Sequence, residues 1–179
     1  MSRQHMVLTA IGPDRPGIVK EIAALIHRAG GNLEDSRMAV LAEEFALIAL
    51  FSGAPESILQ VQRESRELER TLALNISFKP TGGGAAPRAE QIWVLEVKGE
   101  DRPGIVHRVS EVVAGLGVNV ASLESRLMHA AFSGTPLFLL RAELQIPDEA
   151  TQKRLRANVE EVCEQQHLSV SLEAAPTPR

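Results

Sequence analysis

Gly12-Pro13-Asp14-Arg15-Pro16-Gly17-Ile18-Val19 returns later in the chain as Gly99-Glu100-Asp101-Arg102-Pro103-Gly104-Ile105-Val106, with only the second position changed. The offset is 87 (101 − 14), and it carries Ile22 onto Val109, Leu25 onto Val112, Ile26 onto Val113, Gly30 onto Gly117 and Asn32 onto Asn119. After that, Ser36-Arg37 matches Ser125-Arg126 at an offset of 89 (125 − 36), as if the second copy had gained two residues. A period of this length repeated once describes two small domains of one kind. Residues 1–79 form the first and 91–174 the second, with 175–179 as a short tail. Residues 80–90 lie between them with three glycines and two prolines, a composition that cannot build a core element. As a flexible coil this linker spans roughly 18 Å, enough to let two small domains pack together.

Around the repeated octapeptide the hydrophobic pattern alternates between two periods. In the first copy, residues 5–11 suit a strand. Ile18, Val19, Ile22, Leu25 and Ile26 fall on one stripe and predict a helix over 16–29, with Pro16 in its first turn and Gly30-Gly31 as its stop. Strands follow at 33–41 and 44–52, then a helix at 55–71 that turns Ile58, Leu68 and Leu72 inward, then a strand at 73–78. The second copy reads as strand 91–98, helix 103–115, strands 119–128 and 136–146, helix 148–165 and strand 168–173. Asp148 is placed to cap that last helix, which buries Leu155, Val159 and Val162. Each copy is therefore β-α-β-β-α-β. Right-handed crossovers turn that order into a ferredoxin-like α+β fold, a four-stranded antiparallel sheet with both helices on one face.

Such a sheet has a second face. Phe45-Ala-Leu-Ile-Ala-Leu-Phe51 is apolar at every position, which predicts a strand covered on both sides. The matching strand of the second copy alternates, with Arg141 and Glu143 pointing one way and Phe138, Leu140, Ala142 and Leu144 the other. The free face of the first sheet is thus expected to be the more buried, against the second domain or another chain.

Composition removes several classes of function. The 179 residues are 44% hydrophobic and 23% charged, an ordinary globular balance. Nineteen Lys and Arg against 23 Asp and Glu give a net charge of −4, which disfavours direct nucleic-acid binding. Aromatics make up 3% with no Tyr, and Trp93 is the one Trp, so base-stacking platforms are nearly absent. Cys163 is the one cysteine, which excludes an internal disulfide and a four-cysteine zinc site, and it is expected to be buried rather than reactive. No apolar run is long enough to cross a bilayer and no signal peptide is evident, so a cytoplasmic location is expected. His5, His27, His107, His129 and His167 have no ligand-like spacing, and no metal or cofactor is implied. Ser133 lies near His129, but no acidic third member follows from spacing. Gly82-Gly83-Gly84 has no following Lys-Ser or Lys-Thr and is a spacer, not a phosphate loop.

The repeated octapeptide sits where a strand ends and a helix begins. Helix N-terminal amides have no partner within the helix, and with the helix dipole they suit a carboxylate. Gly17 lets a ligand approach the backbone, Asp14 can accept an ammonium, and Asn32 offers both donor and acceptor. An α-amino acid carries the charges this set would hold. The same residues also fit a structural role, with Asp14 capping the helix, Arg15 solvated and Gly17 permitting close packing. The same pair of readings applies to Asp101, Arg102 and Gly104.

The sequence resembles tandem ACT-domain proteins, most closely the glycine cleavage system transcriptional repressor family. The resemblance rests on Gly12–Val19, Gly31–Met38 and Glu43–Ile48, and on Gly99–Val106, Asn119–Arg126 and Ser133–Phe138. It implies that a small amino acid, glycine or a similar one, binds between the first loop and helix and the start of the second strand, often at a domain or subunit interface. Carried over by position, it points to Asp14, Gly17, Ile18 and Asn32, and to Asp101, Gly104, Ile105 and Asn119. It further implies a protein that does not bind DNA itself, acts on a LysR-type transcriptional regulator, and is relieved by glycine. Two small domains and a linker leave no room for a catalytic domain, so a non-enzymatic regulator is expected, as a homodimer. A ligand-free interaction module and a regulatory subunit of a metabolic enzyme are the alternatives.

Overall fold

The structure, a computed structural model, describes residues 3–82, 91–129 and 134–175. The chain divides into two compact units, Met1–Ala85 and Ala86–Arg179. The first unit runs β1 (Gln4–Pro13), α1 (Ile18–Arg28), β2 (Asn32–Leu41), β3 (Glu44–Gly53), α2 (Pro55–Leu72) and β4 (Asn75–Thr81). Its antiparallel sheet has the order β2-β3-β1-β4. The second unit repeats this as β5 (Gln91–Glu100), α3 (Ile105–Gly115), β6 (Asn119–His129), β7 (Pro136–Ile146), α4 (Glu149–Gln165) and β8 (Ser169–Ala174), in the order β6-β7-β5-β8. Both units are the α+β, ferredoxin-like arrangement expected from the pattern.

Each unit closes its own core between one sheet face and two helices. Leu8, Ile22, Leu25, Ile26, Phe45, Phe51 and Val61 are fully enclosed in the first, and Leu95, Val97, Leu140, Leu144, Leu155 and Cys163 in the second. Period-2 alternation decides what enters the core from the strands, and the helical stripe decides it from α1 and α3. Asp148 caps α4 as expected, its carboxylate accepting the Thr151 N–H at 2.7 Å. Gly12 is required for a different reason. A Cβ there would stand 2.5 Å from the Ala73 carbonyl oxygen, because the chain entering β4 passes directly over it. Gly99 occupies the same position beneath Leu168.

Three differences from the sequence reading have clear causes. The helices begin at Ile18 and Ile105, not at Pro16 and Pro103, because Gly17 and Gly104 stand at φ 99° and 93°. That left-handed backbone cannot belong to a right-handed helix, so each proline lies in the turn before it. β4 starts two residues late, since Ala73 leaves α2 at φ 53°, and continues through Pro80 to Thr81. Pro80 is tolerated because β4 is an edge strand.

The third difference concerns register. Arg37 stands opposite Ile48 and Glu124 opposite Arg141, while Ile48 faces Thr9 and Arg141 faces Glu96. The offset of 87 therefore holds through the whole second strand (124 − 37), and Ser36-Arg37 stands level with Leu123-Glu124. The extra residues fall in the β6–β7 connection, after which the offset is 93 (141 − 48). The Ser-Arg match is a coincidence of composition, and pairing with the central strand overrides it.

Taken by itself, the first unit leaves apolar residues uncovered on the outer face of its sheet. Ile48 is 51% exposed and Ile11 55%. β2 and β6 are edge strands exposed along their entire length. Among the described residues no helix is long and apolar enough to cross a membrane.

Candidate functional site

The two corners between β1 and α1 and between β5 and α3 are built alike. Each begins where the central strand ends, pinned by one backbone hydrogen bond to the neighbouring hairpin. The Asp14 N–H donates to the Glu43 carbonyl at 2.8 Å, and the Asp101 N–H to the Pro136 carbonyl at 3.2 Å. The chain then turns through the proline and the left-handed glycine. The first helical hydrogen bonds are Glu21 N–H to the Gly17 carbonyl and Arg108 N–H to the Gly104 carbonyl, both 3.0 Å.

No side chain caps either helix. Asp14 and Asp101 are exposed and do not reach back, so the capping role is not theirs. The contrast with Asp148 on α4 shows what a side-chain cap looks like in this fold. A Cβ added at Gly17 or Gly104 would meet nothing within 4 Å, so these glycines are set by backbone conformation and not by crowding. With no side-chain cap, the first-turn amides are left for another acceptor, which is what an anion site at a helix N-terminus uses.

The remaining expected residues divide. Ile18 and Ile105 are each 2% exposed, so their side chains are core anchors and only their amides can meet a ligand. Asn32 pairs with Ser52, which pairs with His5 at the start of β1, whereas the corner follows Pro13 at its end. The asparagine and the corner of one unit therefore lie at opposite ends of the sheet, roughly eight residues or about 27 Å apart along a strand. Asn119 stands at the same far end and donates its side-chain amide to Gln145. One unit does not gather the four expected residues around one ligand.

The corners also differ in charge. Arg102 is held by Glu100 at 3.1 Å. Arg15 has Pro13 where the second unit has Glu100, and it makes no ion pair among the described residues. The first corner thus carries an arginine that no carboxylate among the described residues engages. Sequence reasoning treated Arg15 as solvated surface, yet the one difference between the octapeptides already separates them.

The other constellations take no part. Among the described residues no group of three or more His, Cys, Asp or Glu is arranged to hold a metal. Ser133 lies outside the described residues. Cys163 is fully buried, and burial pushes its thiol pKa up, away from the reactive thiolate. His5 instead joins Glu34, at 3.5 Å, and the Ser52 hydroxyl also donates to that carboxylate. Glu34 is the extra residue of a bulge between Leu33 and Asp35, which turns its side chain toward these partners.

Two ferredoxin-like units with matched strand-to-helix corners define a tandem ACT-domain protein, and the ACT domain family matches residues 4–79 and 93–160. The chain is 35% identical over 130 residues to the glycine cleavage system transcriptional repressor of Escherichia coli K12, covering 72% of this chain and 68% of that protein. The chain belongs to the glycine cleavage system transcriptional repressor family of ACT-domain regulatory proteins. The fold extends over its full length to two crystal structures. A protein of unknown function from Galdieria sulphuraria aligns with a TM-score of 0.80 at 27% identity, covering 98% of this chain and 100% of its own. A second, provisionally named a glycine cleavage system transcriptional repressor, aligns with a TM-score of 0.76 at 26% identity over 99% and 100%.

Proposed function

We propose that this chain is a non-enzymatic, cytoplasmic regulator that senses a small amino acid, glycine or one close to it. In this reading it represses glycine cleavage genes through a separate DNA-binding protein of the LysR type, and the amino acid relieves the repression. The single observation that carries the reading is the pair of uncapped helix N-termini behind left-handed glycines, each with an aspartate exposed beside it. The amides and Arg15 suit a carboxylate, and Asp14 suits the ammonium. The first corner is the stronger candidate because Arg102 is already engaged.

The placement of Asn32 and Asn119 is compatible with this reading if a second copy of the chain takes part. β2 ends at Leu41, beside the Glu43 carbonyl that holds Asp14, and begins at Asn32. Two such edge strands laid antiparallel bring the start of one beside the end of the other. An asparagine from one copy then stands beside the corner of its partner, as the resemblance to interface-binding ACT domains implies. Regulation follows by linkage. An amino acid and a protein partner that prefer different arrangements weaken each other by the same factor, typically ~1–3 kcal/mol.

Calorimetric titration of the full chain with each of the twenty amino acids tests the ligand. Binding of glycine or a near relative that weakens in Asp14→Ala, and less so in Asp101→Ala, is the expected outcome. No heat at millimolar concentrations of any amino acid leaves the second reading, a ligand-free interaction module. One observation favours that module. Two hollows, of about 330 and 200 Å³, open on the outer sheet faces, and neither includes a corner residue. Capture of a LysR-type regulator by the immobilised chain, with and without glycine, separates the two readings.

A further inference from the structure

The duplicated fold supplies its own control for the outer face of the first sheet. Thr9, Ile11, Ile48 and Leu50 hold the same places on that face as Glu96, Lys98, Arg141 and Glu143 hold on the second. The second face is built for water. Glu96 binds Lys98 at 3.0 Å and Arg141 at 2.6 Å, and these two cations, Lys98 first, hold its carboxyl below the ordinary range. The first face has no ionic group at any of these four positions. It leaves Ile11 and Ile48 more than half exposed on the two central strands. One fold has thus made one sheet face polar and left the other apolar.

We infer that the outer face of the first sheet is the seat of a second copy of this chain, the two sheets packing face to face about a two-fold axis. Three observations select this occupant. First, the centre of the face is apolar and uncharged, so a copy meets no like charge there. Second, its ionic groups nearly balance, with Glu34, Asp35 and Glu44 against Arg37 and Lys79; Glu34 is engaged by His5 and Ser52, and Arg37 is paired with Asp35 at 2.6 Å. The face therefore presents little net charge to repel its own copy or call for an oppositely charged partner. Third, four strands of up to ten residues present about 19 by 34 Å, roughly 600 Å² a side once the shorter β4 is allowed for. Two such faces together bury about 1,200 Å², the lower end of a specific interface. Packing at about 10 Å between sheets is the ordinary sandwich geometry. The hollow of about 330 Å³, lined by Val7, Ile48 and Leu50 together with the paired Asp35 and Arg37, would receive side chains of the other copy. This contact is independent of the amino-acid reading and of the β2 edge.

Sedimentation of the full chain tests it, comparing the wild type with Ile48→Arg, which installs the residue found at the matching place of the second unit. The wild type should run as a dimer at micromolar concentration, or as a tetramer if the β2 edge also pairs. I48R should raise the dissociation constant at least 100-fold with an unchanged circular dichroism spectrum. The milder Ile48→Cys gives a second readout, because the native Cys163 is buried. The new thiol should resist maleimide in the concentrated protein and become reactive on dilution. A wild type that is monomeric at 100 µM overturns the inference and assigns the face to a different partner. A folded I48R variant that keeps the full wild-type mass, or a freely reactive thiol in the I48C assembly, overturns it and leaves the edge strand as the contact. Neither result alters the amino-acid titration.

Discussion

Replacing Gly17 by alanine isolates the backbone of the corner from everything around it. The added methyl meets nothing within 4 Å, so no packing penalty arises. The cost comes from φ 99°, where an L-residue brings its Cβ against its own carbonyl. Left-handed backbone costs about 1–2 kcal/mol for an alanine. Restricting the unfolded chain returns part of this, about 0.4–1 kcal/mol. The net loss is about 1 kcal/mol, which lowers the melting temperature of a unit this size by about 4–8 °C. Because each unit closes its own core, scanning calorimetry should show the shift in the first unit's transition only. Gly104→Ala, at φ 93° with equally open space, should shift the other by a similar amount. The order of stability at position 17 should be Gly, then Asn, then Ala, then Val, following tolerance of positive φ. An alanine variant as stable as the wild type, or a valine variant more stable than the asparagine one, would refute the conformational argument.

Gly12→Ala should cost more than Gly17→Ala, because its methyl would stand 2.5 Å from a backbone oxygen in the middle of the sheet. Urea unfolding of the two variants side by side decides the order. Asp148 has its carboxyl pKa lowered by the backbone N–H of Thr151 and by its hydroxyl. A lowered folded-state pKa contributes stability above the unfolded value that is lost as pH falls through the folded one. The second unit's transition should therefore weaken below about pH 4, and Asp148→Ala should flatten that dependence in calorimetric scans at successive pH values. Cys163 should resist a disulfide reagent in the native protein and react only at the rate of unfolding. Immediate labelling of the native chain would contradict its burial.

The order of elements could be read because the apolar periods are strong and turn residues separate them. Ile18, Ile22, Leu25 and Ile26 sit where the stripe puts them, and so do Leu155 and Val159. The helix start was misplaced because proline at a first turn and proline just before a left-handed glycine look alike in sequence. Only the torsion at Gly17 distinguishes them. The extra residues of the second unit were misplaced because Ser-Arg recurs by chance in two exposed strands, where no core constrains identity. The candidate site was half legible. Its corners follow from the repeated octapeptide. The separation of Asn32 from Asp14 is a matter of topology: the helix returns the chain to the far end of the sheet before β2 begins. What covers the outer face of the first sheet could not be read from the pattern. A run that is apolar on both sides reports what the strand is suited to, not what covers it in one copy of the chain.

The bulges at Glu34 and Ala121 bear on how far chains of this protein could grow into one another. β2 and β6 are long edge strands, the kind of template on which successive molecules add without limit into a fibre. An extra residue near the start of each throws the ladder out of step over those positions. Charges at Glu34, Asp35 and Arg37, and at Glu124 and Arg126, make continuous stacking of like on like unfavourable. The stretch left in step, Asp35–Leu41 in the first unit, is long enough for one finite clasp and too interrupted for endless polymerisation.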